Sequence, residues 1–286
     1  MTVSELAELA CRWEATARKI GNVHPNAEFP DLKYHHFLTS ARIVGACFES
    51  LKATDSLGTW IERTVHDSFH ATGTNTNLGI VLLLAPLALA AISDRPVAAV
   101  LQSTTIDDAR AVYRAIRLVN PGGLSRSESQ DVHDEPTVML REAMAFAKHR
   151  DLIARQYADG FADVFEFGVP ALRNAIHAFG CIEAAIIDCQ LQWLSRFPDS
   201  LIARKHGPAL AESVQNRARE IVSLGSIALP AGRAAARQLD REMRSASPRW
   251  NPGTTADLVA ACLFATFRDY NDLARLPFDW TAEDWP

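Results

Sequence analysis

Apolar positions recur at steps of three and four residues along almost the whole chain. Leu6, Leu9, Trp13, Ala17 and Ile20 mark one helical face behind a Ser4 cap, with Gly21-Asn22 as the stop signal. Tyr34, Phe37, Ala41, Val44, Phe48 and Leu51 mark a second, for which Asp31 is placed to cap the N-terminus. Trp60, Ile61, Val65 and Phe69 continue the pattern until small polar residues interrupt it over 71–77. The apolar run over 78–92, which contains Pro86, then reads as a buried helix, short of the ~20 residues that cross a bilayer. Thr105 with Asp108 is a capping-box pattern opening a helix through Val119 that Pro121-Gly122-Gly123 ends. Helical spacing resumes over 137–157, 170–193, 209–224, 231–243 and 256–270. No stretch alternates with a period of two, and no fixed-period repeat is present. The pattern predicts an all-α protein, a single multi-helix globular domain over 1–286 with roughly ten helices. The break at 194–208 reads as a loop rather than a linker.

Composition narrows the class without naming a chemistry. With 286 residues, 48% hydrophobic and 22% charged, the chain can bury about three quarters of its unfolded surface. Cys11, Cys47, Cys181, Cys189 and Cys262 stand in apolar helical contexts with no CxxC pair, as reduced core thiols do. The acidic opening Met1-Thr2-Val3-Ser4-Glu5 lacks a signal pattern, so a cytoplasmic protein is expected. A net charge of −5 without a basic block speaks against nucleic acid as partner, and no run suggests a membrane. A phosphorylated small substrate needs only a local cluster of cations.

Such clusters belong in the polar loops at helix ends. Lys19-Ile20-Gly21-Asn22 offers a cation and a close backbone approach, or simply a helix C-cap. Thr74, Asn75, Thr76 and Asn77 crowd hydroxyl and amide groups before the apolar helix, whose free N–H groups suit an anion. Arg110, Arg114 and Arg117 share one helical face, able to fork onto a triphosphate or to pair with nearby acids. Asp131, His133, Asp134 and Glu135 gather oxygen ligands suited to Mg²⁺, or flank a helix N-terminus. Arg204 and Lys205 precede Gly207, and 251–258 forms a turn opening a helix with Asp257 in its first turn. Spacing alone does not say whether these loops converge.

In order along the chain, Lys19-Ile20-Gly21-Asn22-Val23, Gly73-Thr74-Asn75-Thr76-Asn77-Leu78-Gly79 and Pro252-Gly253-Thr254-Thr255-Ala256-Asp257-Leu258 resemble the three motifs of the triphosphoribosyl-dephospho-CoA synthase family. The likeness runs from about Glu14 to Phe264. Two features depart from the pattern: Asn77 and Leu78 replace the His-Lys of the citrate-lyase branch, and Ala17, Arg18 and Ile20 replace the family's Thr and two Pro. The stretches 75–88 and 151–157 look more like an archaeal and C1-metabolism branch.

The resemblance implies an all-helical pentosyltransferase. It would take ATP as substrate with Mg²⁺, expel adenine, and join the 5-triphosphoribosyl group to a hydroxyl of dephospho-CoA, giving the prosthetic-group precursor of an acyl carrier protein. Loss of adenine passes through an oxocarbenium-like state that calls for carboxylates. The expected roles are Asp31 or Asp257 as general base, Asn75 and Asn77 on ribose or base, and Asp131 and Asp134 on Mg²⁺. Lys19, Gly21, Asn22, Thr74, Thr76, Arg110, Arg114 and Lys205 are the expected nucleotide and phosphate contacts. The alternatives are a ribosyl transferase with another acceptor, such as a tetrahydromethanopterin precursor, and a non-catalytic nucleotide-binding protein. A homodimer is compatible with any of them.

Overall fold

Three helices that are buried on nearly every side organise the chain, because each is enclosed by the others around it. They are α4, α10 and α14 in a computed structural model that describes every residue except 125, 128, 283, 284 and 286. Among the described residues there are fourteen α-helices and no strand. In chain order the first seven are α1 (Val3–Thr16), α2 (Tyr34–Glu49), α3 (Leu57–Thr72), α4 (Leu78–Ser93), α5 (Val97–Gln102), α6 (Ile106–Val119) and α7 (Leu140–Ala145). The rest are α8 (Leu152–Ala158), α9 (Val169–Phe179), α10 (Ile182–Arg196), α11 (Ser200–His206), α12 (Pro208–Ser223), α13 (Pro230–Ser245) and α14 (Gly253–Asp269).

Helix α10 separates two apolar clusters. Its Ile182, Ala185, Ile186, Cys189 and Trp193 pack into the larger, with α1–α6 and α14. Its Ala184, Ile187, Leu191 and Leu194 pack into the smaller, with Val214 and Ile221 of α12 and Leu239 and Met243 of α13. All five cysteines are free and buried.

Pro86 sits inside α4 and cannot donate to the carbonyl of Leu82 one turn back. The fully buried Tyr157 supplies the missing donor, its hydroxyl giving a 2.6 Å hydrogen bond to that carbonyl. This bond pins α8 to the centre of α4.

Several boundaries differ from the spacing. Thr2, not Ser4, caps α1: its hydroxyl accepts from the Glu5 N–H at 3.2 Å, and the Glu5 carboxylate accepts from the Thr2 N–H at 2.7 Å. The helix stops at Thr16, so Ile20 lies beyond it, within the smaller cluster. Asp31 does not cap α2; Glu28 takes the Tyr34 N–H at 2.9 Å. The stretch 137–157 is two helices, because Asp151 accepts from the N–H groups of Ile153 and Ala154 and starts α8 afresh. The stretch 170–193 is also two, divided at Gly180, whose φ of 64° is left-handed. In the supposed loop 194–208, Asp199 caps the short α11 in the same way. The Thr105–Asp108 capping box is present, and α6 ends at Asn120 just before Pro121-Gly122-Gly123.

Candidate active site

The starts of α4, α8, α11 and α14 open onto one cavity of about 1430 Å³, closed on another side by the end of α6 and the loop after it. This exceeds the roughly 300–1,000 Å³ typical of a site for one small ligand.

The 74–77 loop forms part of the wall and is fastened from behind. Asn77 donates to the Ser68 hydroxyl at 2.9 Å, and Thr76 hydrogen-bonds Ser40; both residues are buried. The Asn75 side-chain oxygen accepts from the Leu78 N–H at 3.2 Å, capping α4. Thr74, Asn75, Thr76, Asn77 and Gly79 all line the cavity. Gly79 has a spatial reason: a Cβ there would overlap the Asp257 carboxylate. That close approach brings the second and third sequence motifs together.

Asp257 is a partly buried residue on the cavity wall. Loss of water and the nearby carboxylates of Glu14, Asp199 and Asp151 hold its carboxyl well above the usual carboxylate range, against a smaller opposing effect of Arg204. Asp257 therefore keeps its proton where an exposed Asp would have lost it. Glu14, also on the wall, is buried and paired with the Lys19 ammonium at 2.9 Å.

The 19–22 segment divides. Lys19 is fully buried and donates to both the carboxylate and the carbonyl of Glu14, so it holds Glu14 and does not face the cavity. Gly21 lies outside the lining; it adopts a φ of 72°, donates to Asp240 at 2.7 Å, and leaves Met243 only 2.9 Å from where a Cβ would stand. Asn22 reaches the wall, donating to Asn251 at 2.8 Å and accepting from Gln190 at 2.7 Å.

The cations of the cavity come from a different place than the arginine stripe. Arg110 pairs with Asp107 at 2.7 Å and Arg114 with Glu62 at 2.6 Å; both are exposed and neither lines the cavity. Arg150, Arg204 and Lys205 do line it. Gly122 and Gly123 let the loop after α6 lie flush against α11: their Cβ atoms would stand 2.8 Å from Lys205 Cε and from the Arg204 carbonyl. Arg204 also donates to the Gly122 carbonyl at 3.1 Å and pairs with Asp151 at 3.3 Å. Among the described residues Lys205 and Arg150 pair with no carboxylate.

The expected metal pair does not assemble. Asp131 lines the cavity, but its two oxygens accept from the N–H groups of Ser127 and His133, and His133 Nδ1 lies 2.7 Å away. These bonds push its carboxyl down to about 2 and make it the brace of its own loop. Asp134 is exposed, 3.9 Å from Arg126, and outside the lining. Among the described residues no group of three or more His, Cys, Asp and Glu could hold a metal ion. Asp131 and Asp134 thus present no shared set of oxygens to a resident divalent ion. Asp31 stands at the rim, its exposed carboxylate 2.9 Å from Arg249.

Glu14, Asp151 and Arg150 are the wall residues that spacing does not single out. Glu14 lies one position past Trp13 on an amphipathic helix, where an acid ordinarily faces water. Asp151 and Arg150 fall within a stretch that spacing takes as one continuous helix.

The family pattern of ATP:dephospho-CoA triphosphoribosyl transferases matches residues 1–275. The chain belongs to this family. A curated 2-(5''-triphosphoribosyl)-3'-dephosphocoenzyme-A synthase, so assigned, from Pseudomonas savastanoi pv. phaseolicola is 28% identical over 133 residues, 43% of this chain and 45% of that one. Its counterpart in Stutzerimonas stutzeri is 36% identical over 112 residues, 39% and 38% of the two chains. The matched part therefore spans less than half the length of these curated relatives. A crystal structure from Archaeoglobus fulgidus, assigned as a triphosphoribosyl-dephospho-CoA synthase, superposes with a TM-score of 0.66 at 27% identity, covering 83% of this transferase-family chain and 99% of that one.

Proposed function

We propose that the chain transfers the 5-triphosphoribosyl group of ATP to a hydroxyl of dephospho-CoA and releases adenine. The observation that carries this reading is the placement of Asp257, whose carboxyl burial and neighbouring acids hold above its usual range, on the same cavity wall as the cations Arg150, Arg204 and Lys205. ATP enters with Mg²⁺ as part of the substrate, its phosphates being the chief ligands of the ion. Arg150, Arg204 and Lys205 take the triphosphate, and Asn75, Asn77 and Asn22 face the ribose or the base.

In the transfer the bond between ribose C1 and adenine breaks, and one from C1 to the acceptor oxygen forms. Adenine leaves more readily as it gains a proton, which Asp257 is suited to donate. The carboxylate of Glu14, held by Lys19, balances positive charge developing on the ribose and accepts the proton lost by the acceptor hydroxyl. This reverses the role expected of Asp257, since a carboxyl that retains its proton is an acid before it is a base. It also leaves Asp31, tied to Arg249 at the rim, without a part in proton transfer. A cavity of about 1430 Å³ has room for two substrates at once, which favours transfer over simple ATP binding. Cytoplasmic location fits the substrates, and no helix among the described residues is long and apolar enough to cross a membrane.

Asp257→Asn keeps the shape of the side chain and removes the proton donor. Adenine release should fall by about 100-fold or more while the helical circular dichroism signal is unchanged. Full turnover in the folded variant would take Asp257 out of the mechanism.

A further inference from the structure

The most heavily used carboxylate near the site belongs to Asp199, which is buried (1% exposed) and does not line the cavity. One oxygen accepts from the N–H groups of Leu201 and Ile202, each at 2.9 Å, at the start of α11. The other accepts from the N–H and the hydroxyl of Thr255, each at 2.8 Å, in the first turn of α14. Loss of water on burial pushes the Asp199 carboxyl above its usual range, while N–H donors on both oxygens oppose that rise and favour the ionised form. Two residues after Thr255 comes Asp257; three and four residues after Leu201 come Arg204 and Lys205. Ser200, next in the chain, accepts from the Leu152 N–H at 2.9 Å and ties in the start of α8.

We propose that Asp199 is a positioning residue for the transfer, its buried carboxylate joining the turn that carries Asp257 to the turn that carries Arg204 and Lys205. The inference rests on the transferase reading of the cavity. A reaction that breaks one bond at ribose C1 while the triphosphate is held elsewhere needs a fixed distance between the proton donor and the phosphate cations. Helix ends fray unless capped, and both of these ends are capped by one side chain. Its negative charge also acts on Asp257. The charged and titratable groups facing Asp257 are Glu14 and Cys11 of α1, Asp151 at the cap of α8, and Asp199 and Arg204 of the α11 turn, while from α4 the uncharged Gly79 lies against its carboxylate. Removing the charge of Asp199 takes away one of the three carboxylates that keep the proton on Asp257.

Asp199→Asn puts an amide donor against backbone donors and so opens one side of the clamp. The test follows adenine release from ATP and dephospho-CoA as a function of pH, together with a ¹³C carboxyl titration of Asp257 in the whole protein, its resonance assigned by its loss in Asp257→Asn. The variant should lose about 100-fold in kcat, as a displacement of about 1 Å would cause, with a much smaller change in KM for ATP. Activity that requires protonated Asp257 is present below its pKa and lost above it. The alkaline limb of the rate profile and the carboxyl titration should therefore both move to lower pH. Thr255→Val removes one of the four bonds and leaves the charge, so it should lower kcat several-fold without moving the titration. Unchanged turnover in folded Asp199→Asn, or in Thr255→Val if the first variant does not fold, would overturn the proposal, as would an Asp257 titration indifferent to Asp199→Asn. If the wild-type protein shows the titration but releases no adenine, the transferase reading fails instead, and Asp199 loses its part in transfer with it.

Discussion

Asp257 and Tyr157 show how one side chain can answer a problem created elsewhere. Pro86 leaves a carbonyl of α4 without its donor, and Tyr157 answers from another helix at 2.6 Å. Replacing Tyr157 by Phe would strand that carbonyl in the core, where an unmet acceptor costs about 1–3 kcal/mol. Urea unfolding of Tyr157→Phe should show a loss of that size at unchanged m-value, and a loss below about 0.5 kcal/mol would mean that the bond contributes little. For Asp257 the problem is room, and the absent side chain of Gly79 supplies it. Both pairings are sequence-distant. The periodicity reveals Pro86 and Asp257 but not Tyr157 as a donor or Gly79 as a neighbour, because a pattern of three and four says which face is buried and not what meets it.

At the scale of the helix, the regular elements were legible and the caps decided where reading stopped. The all-α class, the buried helix at 78–93 and the capping box of α6 follow directly from apolar spacing and a Thr–Asp pair. The division of 137–157 and the short α11 did not, since Asp151 starts a new helix inside a stretch whose apolar spacing never breaks, and Asp199 starts one inside a stretch where that spacing lapses. The arginine stripe of α6 shows the converse. Three guanidinium groups on one face suggest a phosphate site, yet the face is turned to acids at the surface: Asp107, Glu62 and Glu135. The cations that line the cavity come instead from α11 and the turn before α8. Lys205→Met should raise KM for ATP by about tenfold, the loss of one charge-assisted contact, while Arg110→Ala and Arg114→Ala should leave it within about twofold. Steady-state kinetics of the three variants, side by side, check this; a larger effect from Arg110→Ala would relocate the phosphate site.

The whole molecule places three sequence motifs around one cavity through two apolar clusters that share α10. The 19–22 motif contributes mainly from behind, through the Lys19–Glu14 pair and the Asn22–Asn251 bond, while the 74–79 and 254–257 motifs meet at the wall. Convergence of this kind is invisible in the order of residues, because it depends on how α1, α4, α11 and α14 pack, and only the family resemblance anticipates it. In the proposed transfer this wall joins a triphosphoribosyl group to a hydroxyl of dephospho-CoA. Its most direct test incubates the protein with ATP, Mg²⁺ and dephospho-CoA and follows free adenine together with the mass of the CoA species. Adenine should appear in equal amount to a dephospho-CoA adduct heavier by one triphosphoribosyl unit. Adenine without that adduct would contradict the acceptor, and no adenine at all would contradict the transfer.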